Sequence, residues 1–263
     1  MNIAQIFYRL QYRIFARHYR GHGIHSPFVF GFIRNTLNPN AHFYAFEQIS
    51  EIRNEYLNNE ELLVINDRGA GSNRLKLGRN KSVKRIAFGS GINHKHGRLL
   101  FLIVNRFKPQ TIIELGTSLG ISSLYLALPN KSAKLYTIDA CHDSLEVAKH
   151  TFSKLNCVGI ETIEGDFDST LPSLLNHIKA VDLAFIDGNH TYEATLRNFN
   201  LLLNKTHDES IVIFDDIDWS AGMHNAWREV CNDSKVTISI DLGRIGIVFF
   251  RKECKKQHFR IRI

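Results

Sequence analysis

The residues best placed to do chemistry are acids that recur at the ends of apolar runs. Glu114 follows Thr111-Ile112-Ile113, and Asp139 closes Lys134 to Ile138. Asp166 follows Ile160 to Gly165, Asp187 closes Val181 to Ile186, and Asp215 closes Ser210 to Phe214. Runs of this length, rich in β-branched residues, predict buried strands. In an open parallel sheet the carboxyl ends of the strands line one crevice, so these side chains are expected to meet there. Carboxylates in a cleft accept hydrogen bonds from hydroxyls and bind hard cations through oxygen. Beside an imidazole such as His190 they take part in proton transfer. One acid after a strand can also be a helix N-cap, but acids after strand upon strand exceed that need.

The first of these strands runs into a glycine turn. Thr111 to Leu115 is followed by Gly116 and Gly120, then by Ile121, Leu124, Tyr125 and Leu128 at helical spacing. A strand, a tight turn and a helix are predicted. Gly116 permits the sharp turn and close approach of a ligand, and Gly120 permits close packing of the helix start. A dinucleotide fingerprint would place a glycine at 118, to make room for a pyrophosphate. Ser118 stands there instead.

What remains, Glu114-x-Gly116-x-x-x-Gly120, resembles the first motif of class I S-adenosylmethionine (SAM) methyltransferases. The resemblance implies that the turn, with Glu114, Gly116, Thr117, Ser118 and Gly120, holds the methionine half of SAM. Asp139 lies one βα unit further on, where an acid accepts ribose hydroxyls, and the resemblance assigns it that job. Asp166 matches the acid on the adenine side. After the fourth strand, Ile186-Asp187-Gly188-Asn189-His190 lacks the Asn/Asp-Pro-Pro-Tyr of amino-group methyltransferases. With Phe214-Asp215-Asp216 it resembles the metal-dependent O-methyltransferases of the catechol type and their bacterial relatives. That resemblance implies that Asp187, Asp215 and Asp216 hold Mg²⁺, with Asp187 also on the cofactor and catalytic side. A hard cation would relieve the repulsion of three carboxylates and lower the pKa of a substrate hydroxyl. The family's lysine base is replaced here by His190, which can accept a proton near neutral pH.

The elements that must position these residues follow from the rest of the chain. From residue 110 strands and helices alternate, which is the pattern of a parallel sheet. Val236 to Asp241 and Ile245 to Arg251 are separated by Leu242-Gly243-Arg244, too short for a parallel crossover, so that pair must be an antiparallel hairpin. The expected fold is α/β: a doubly wound, mostly parallel, seven-stranded sheet with that hairpin at its end. SAM binding is expected over 109–253. Residues 254–263 form a basic tail, and 1–108 form a helical extension.

Within the extension, residues 3–20 read as a helix. Arg9, Arg13, Arg17 and Arg20 lie on one face, and Tyr8, Tyr12, Phe15 and Tyr19 pack from another. Ser26-Pro27 reads as a helix start. Leu62 to Gly71 imitates the glycine motif but has no apolar-periodic helix after it. Residues 67–85 are read as a mobile basic loop, either a flap over an anionic ligand or a linker.

Composition sets the outer bounds. The 263 residues carry a net charge of +7, with four cysteines and no Cys-x-x-Cys pair. Reduced thiols and a cytoplasmic setting are expected, without a zinc or disulfide framework. No apolar run has membrane-spanning length. The basic charge permits an acidic partner without requiring one. The expected activity is O-methylation of a small-molecule hydroxyl. The alternatives are ribose 2′-O-methylation of RNA, drawn from the basic segments, and a non-catalytic SAM-fold binding module.

Overall fold

The computed structural model describes residues 3–18, 23–37, 41–65, 79–89 and 91–262. They group into two units, one built from 39–173 and the other from 1–38 with 174–263. Residues 1–38 of the extension thus group with the C-terminal residues.

In the 39–173 unit, α3 (Tyr44–Leu57), α4 (Val83–Gly89) and α5 (His94–Phe107) precede the glycine motif. The strand β4 (Thr111–Leu115) leads through the turn into α6 (Ile121–Ala127). Then come β5 (Lys134–Asp139), α7 (His142–Lys154), β6 (Ile160–Glu164) and α8 (Phe167–His177), which crosses the unit boundary. β4 pairs with β5 and β5 with β6, both parallel and in unbroken register. Ile112, Ile113 and Leu115 are fully buried, as a strand covered on both faces requires. Helix α5 ends on Lys108 in a left-handed conformation, and Pro109 cannot continue it.

The basic loop is shorter at its C-terminal end than expected. Residues 66–78 lie outside the described residues, but Arg79–Ser82 is strand β3, antiparallel to β2 (Leu62–Ile65). The apolar run read as a false motif is therefore one arm of a hairpin. Its Val64 N–H donates to Asp143 Oδ2 at 2.7 Å, on α7 of the same unit.

In the other unit, α1 (Ile3–Phe15), the two-residue β1 (Arg17–His18) and α2 (Pro27–Thr36) join the C-terminal elements. These are β7 (Leu183–Ile186), α9 (Tyr192–Leu203), β8 (Ile211–Phe214), α10 (Ala221–Asn232), β9 (Ile238–Asp241), β10 (Gly246–Phe249) and β11 (Gln257–Arg262). β7 and β8 are parallel, β8 and β10 antiparallel, and β10 and β9 form the antiparallel hairpin. All seven expected strands are thus present: β4, β5 and β6 in one unit, β7, β8, β9 and β10 in the other.

Two further strands correct the reading of both termini. β11 pairs parallel with β9, and β1 pairs parallel with β11. The basic tail is therefore an ordered strand, anchored by the fully buried Ile261. Helix α1 ends at Phe15, where residues up to 20 were expected. Tyr8 is buried as expected, while Phe15 is 62% exposed, together with Ile6, Phe7, Leu10 and Ile14. Ser26 caps α2 through its hydroxyl, which accepts from the Val29 N–H, with Pro27 at the first turn as expected. Among the described residues no helix is long and apolar enough to cross a membrane.

Candidate functional site

The glycine turn takes its shape from an acid on the neighbouring strand. Gly116 has φ 106°, Ser118 φ 47° and Gly120 φ 80°. The Gly116 N–H donates to Ile138 O at 2.9 Å. The Ser118 N–H donates to Asp139 Oδ2 at 2.8 Å, and the Cys141 N–H donates to Asp139 Oδ1 at 2.9 Å. Both Asp139 oxygens therefore accept backbone N–H groups from the turn and from the loop that follows β5. Burial pushes the Asp139 carboxyl above its usual pKa, against the pull of those N–H groups. Gly120 is required by close packing: a Cβ there would fall 2.6 Å from the Phe152 ring of α7.

Glu114 points inward. It is fully buried, and its Oε2 accepts from the Ser123 hydroxyl and, at 2.7 Å, from the Thr137 hydroxyl. Thr137 in turn shares a 2.6 Å hydrogen bond with Thr117, itself 1% exposed. Glu114 thus clasps β4 to β5 and α6. Burial, only partly offset by the hydroxyls, raises its pKa to about 7. Asp166 acts at least as a cap: its Oδ1 accepts from the Ser169 N–H and hydroxyl at 3.2 Å, at the start of α8.

The second cluster lies in the unit containing the C-terminus. Asp187 follows β7, and His190 Nε2 lies 3.6 Å from Asp187 Oδ1 and 3.8 Å from Asp216 Oδ2. Asp187, His190 and Asp216 thus lie together in the structure. Burial holds the His190 pKa below its ordinary value. Burial, followed by the charge of Asp215, lifts the Asp216 carboxyl to about 7. Asn189 and Asp216 have φ 49° and 54°, so with Ser118 three of the five left-handed non-glycine residues among those described sit in these loops. Such backbone is costly and marks segments held for a purpose.

Arg244 was not anticipated. It sits in the turn of the β9–β10 hairpin. Its Nε donates to Asp215 Oδ1 at 2.9 Å and its Nη2 to Asp215 Oδ2 at 2.7 Å. Nε also lies 2.8 Å from Asp216 Oδ1. The register of β10 on β8, Gly246 opposite Phe214, brings the turn to this place. A lone arginine in a four-residue turn carries no motif, and only that register announces it.

The implied metal set does not fit this arrangement. Both oxygens of Asp215 and one of Asp216 are engaged by a guanidinium. No cluster of three or more His, Cys, Asp or Glu residues suited to a metal occurs among the described residues. The glycine turn has positive φ at Gly116, Ser118 and Gly120 and is tied to Asp139, the acid that the resemblance assigns to the ribose.

Residues 113–217 match the family described as a methyltransferase domain. Among curated proteins, the chain is 29% identical over 165 residues to an uncharacterized protein of Acanthamoeba polyphaga mimivirus, covering 58% of this chain and 74% of that one. It is 29% identical over 137 residues to a probable O-methyltransferase of Mycobacterium tuberculosis, covering 48% of this chain and 57% of that protein. Among solved structures, the O-methyltransferase of Bacillus cereus in complex with S-adenosylhomocysteine (SAH) has TM-score 0.57 and 15% identity, covering 80% of this chain and 93% of that one. The SAM-bound O-methyltransferase TomG of Streptomyces achromogenes has TM-score 0.57 and 17% identity, covering 80% and 91%. The chain therefore has the α/β fold of these O-methyltransferase structures, and residues 113–217 match a methyltransferase-domain family.

Proposed function

We propose that the chain is a SAM-dependent O-methyltransferase acting on the hydroxyl of a small molecule. The observation that carries this is the Ser118–Asp139 hydrogen bond, which ties the glycine turn to the acid that the resemblance assigns to the ribose. The methyltransferase-domain match and the O-methyltransferase relatives support it.

When bound, SAM supplies a methyl group activated on a sulfonium. The Gly116 and Ser118 N–H groups and the Thr117 hydroxyl are engaged within the fold, so the Ser118 hydroxyl would be the group of the turn that holds its amino-acid end, and Asp139 would accept from its ribose. Asp166 would lie on the adenine side, as the resemblance implies. In the acid cluster, His190 Nε2 accepts the proton of the acceptor hydroxyl. Its lowered pKa keeps the imidazole neutral at pH 7, as a base must be. The charge of Asp215 favours the imidazolium that results, against that of Arg244. Trp219, 47% exposed at the end of the same loop, offers an apolar face to an organic acceptor. Alignment of oxygen and methyl group supplies a large part of such an acceleration.

Of the basic residues of the first helix, Arg9 is paired with the buried Asp218 at 2.5 Å. The reading is tested by incubating the protein with labelled SAM and a panel of phenolic and aliphatic alcohols. Label in an ether product is expected. Label in RNA with no ether product would overturn the choice of acceptor.

A further inference from the structure

Asp215 and Asp216 grip a guanidinium where the family resemblance implied a metal ion. Asp215 is 1% exposed, and both of its oxygens are taken by Arg244 in a fork. Such a bidentate pair is among the strongest charge-assisted arrangements and has a fixed geometry. The backbone around Arg244 is anchored as well. Leu242 N–H donates to Ile245 O at 2.9 Å, closing the turn, and Ile217 N–H donates to Arg244 O at 3.0 Å. Gly243 N–H donates to Asp241 Oδ1 at 2.8 Å, with Gly243 at φ 92°, where a side chain would strain the turn. The guanidinium is therefore delivered by a rigid hairpin.

We propose that Arg244 is the resident cation of the acid cluster and that acceptor chemistry at this cluster proceeds without a divalent metal, the second part resting on the O-methyltransferase reading above. A metal would have to displace a guanidinium held by both neighbouring carboxylates. A second guanidinium, Arg9, is paired with Asp218 in the same loop, which further offsets the negative charge that would attract it. The contacts of Arg244 engage Nε and Nη2. Its side chain is 34% exposed, and Nη1 is left to donate to an acceptor oxygen. A charged donor placed there stabilises developing negative charge on oxygen, the role a metal has in the catechol-type enzymes.

The test uses the full chain, with uptake of Mn²⁺ followed by electron paramagnetic resonance and melting temperature measured alongside. The wild type is expected to leave millimolar Mn²⁺ free and to melt at the same temperature with or without it. Arg244→Ala uncovers two adjacent carboxylates. It is expected to melt on the order of 10 °C lower and to recover part of that loss on taking up Mn²⁺. Arg244→Lys keeps the charge without the fork and is expected to fall between, and it serves as the readable variant if Arg244→Ala does not fold. Stoichiometric Mn²⁺ uptake by the wild type, or an Arg244→Ala protein that melts like the wild type, overturns the proposal. A melting shift with SAH, measured on the same wild-type sample, reports the cofactor reading separately. Its absence would remove that reading and leave the Mn²⁺ result to decide the role of Arg244.

Discussion

Ser118 donates its backbone N–H to Asp139 Oδ2 at 2.8 Å, while its own φ is 47°. The acid on β5 thus holds a serine in backbone that glycine adopts more readily. Ser118→Gly keeps the N–H and relieves the left-handed cost, offset in part by the greater freedom of glycine when unfolded. The expected outcome in a thermal melt is no loss of stability, with a gain of up to about 1 kcal/mol. Ser118→Pro removes the donor and cannot adopt a positive φ. It is expected to destabilise the turn and abolish the SAH-induced melting shift.

Glu114 gives a pH signature of stability. Its carboxyl has a pKa of about 7 in the fold, raised first by burial, against 4.5 unperturbed. Between these values the folded state binds the extra proton, so stability from this group is present at pH 4.5 and is lost as pH rises through 7. The loss approaches about 3 kcal/mol at pH 8. Glu114→Gln stays neutral, so denaturant midpoints of wild type and variant should diverge from pH 5 to pH 8, in favour of the variant at high pH. Parallel pH profiles would contradict the buried ionisable role.

His190 sets the acid limb of activity. Burial lowers its pKa, so protonation, which removes the base, begins below pH 6.5. kcat/KM is expected to hold level from pH 7 down to that range and then to fall. His190→Ala should lower kcat by roughly 10²–10⁴-fold, the usual contribution of a general base. An acid limb centred above pH 7 would assign the proton transfer to another group.

The N-terminal helix is latched to the hairpin that carries Arg244. Tyr8 donates its hydroxyl to Asp241 Oδ2 at 2.6 Å, and Asp241, 1% exposed, accepts from Gly243 N–H in the turn. Tyr8→Phe removes one donor from a buried carboxylate and is expected to cost about 1–3 kcal/mol, read from the denaturant midpoint. It should also raise KM for the acceptor by loosening the turn that presents Arg244. A variant as stable as the wild type would mean that the helix adds nothing to the hairpin.

The parallel strands were legible because β4, β5, β7 and β8 are short apolar runs with an acid in or just after them, and some of the helices that follow carry a local cap. Ser26, Thr191 and Ser220 each cap a helix by accepting an N–H, a purely local signal. The features that sequence reasoning missed depend on distant partners. Arg244 meets Asp215 across 29 positions and Tyr8 meets Asp241 across 233, through pairings that no local pattern encodes. Strands β3 and β11 were hidden by composition. Arg79–Ser82 is polar throughout, and in Gln257–Arg262 the buried Ile261 stands among basic residues. Asp166 was placed correctly after its strand, but its observed bonds are those of a helix cap.

Calorimetric titration of the full chain with SAH, compared with NAD, tests the methyltransferase reading most directly. The expected result is one SAH bound per chain and no heat from NAD. Asp139→Ala, which deletes the tether of Ser118 and the acceptor for the ribose, should weaken SAH by roughly 10–100-fold. Binding of NAD without SAH, or undiminished SAH binding by Asp139→Ala, would contradict the assignment of the turn and its acid to SAM.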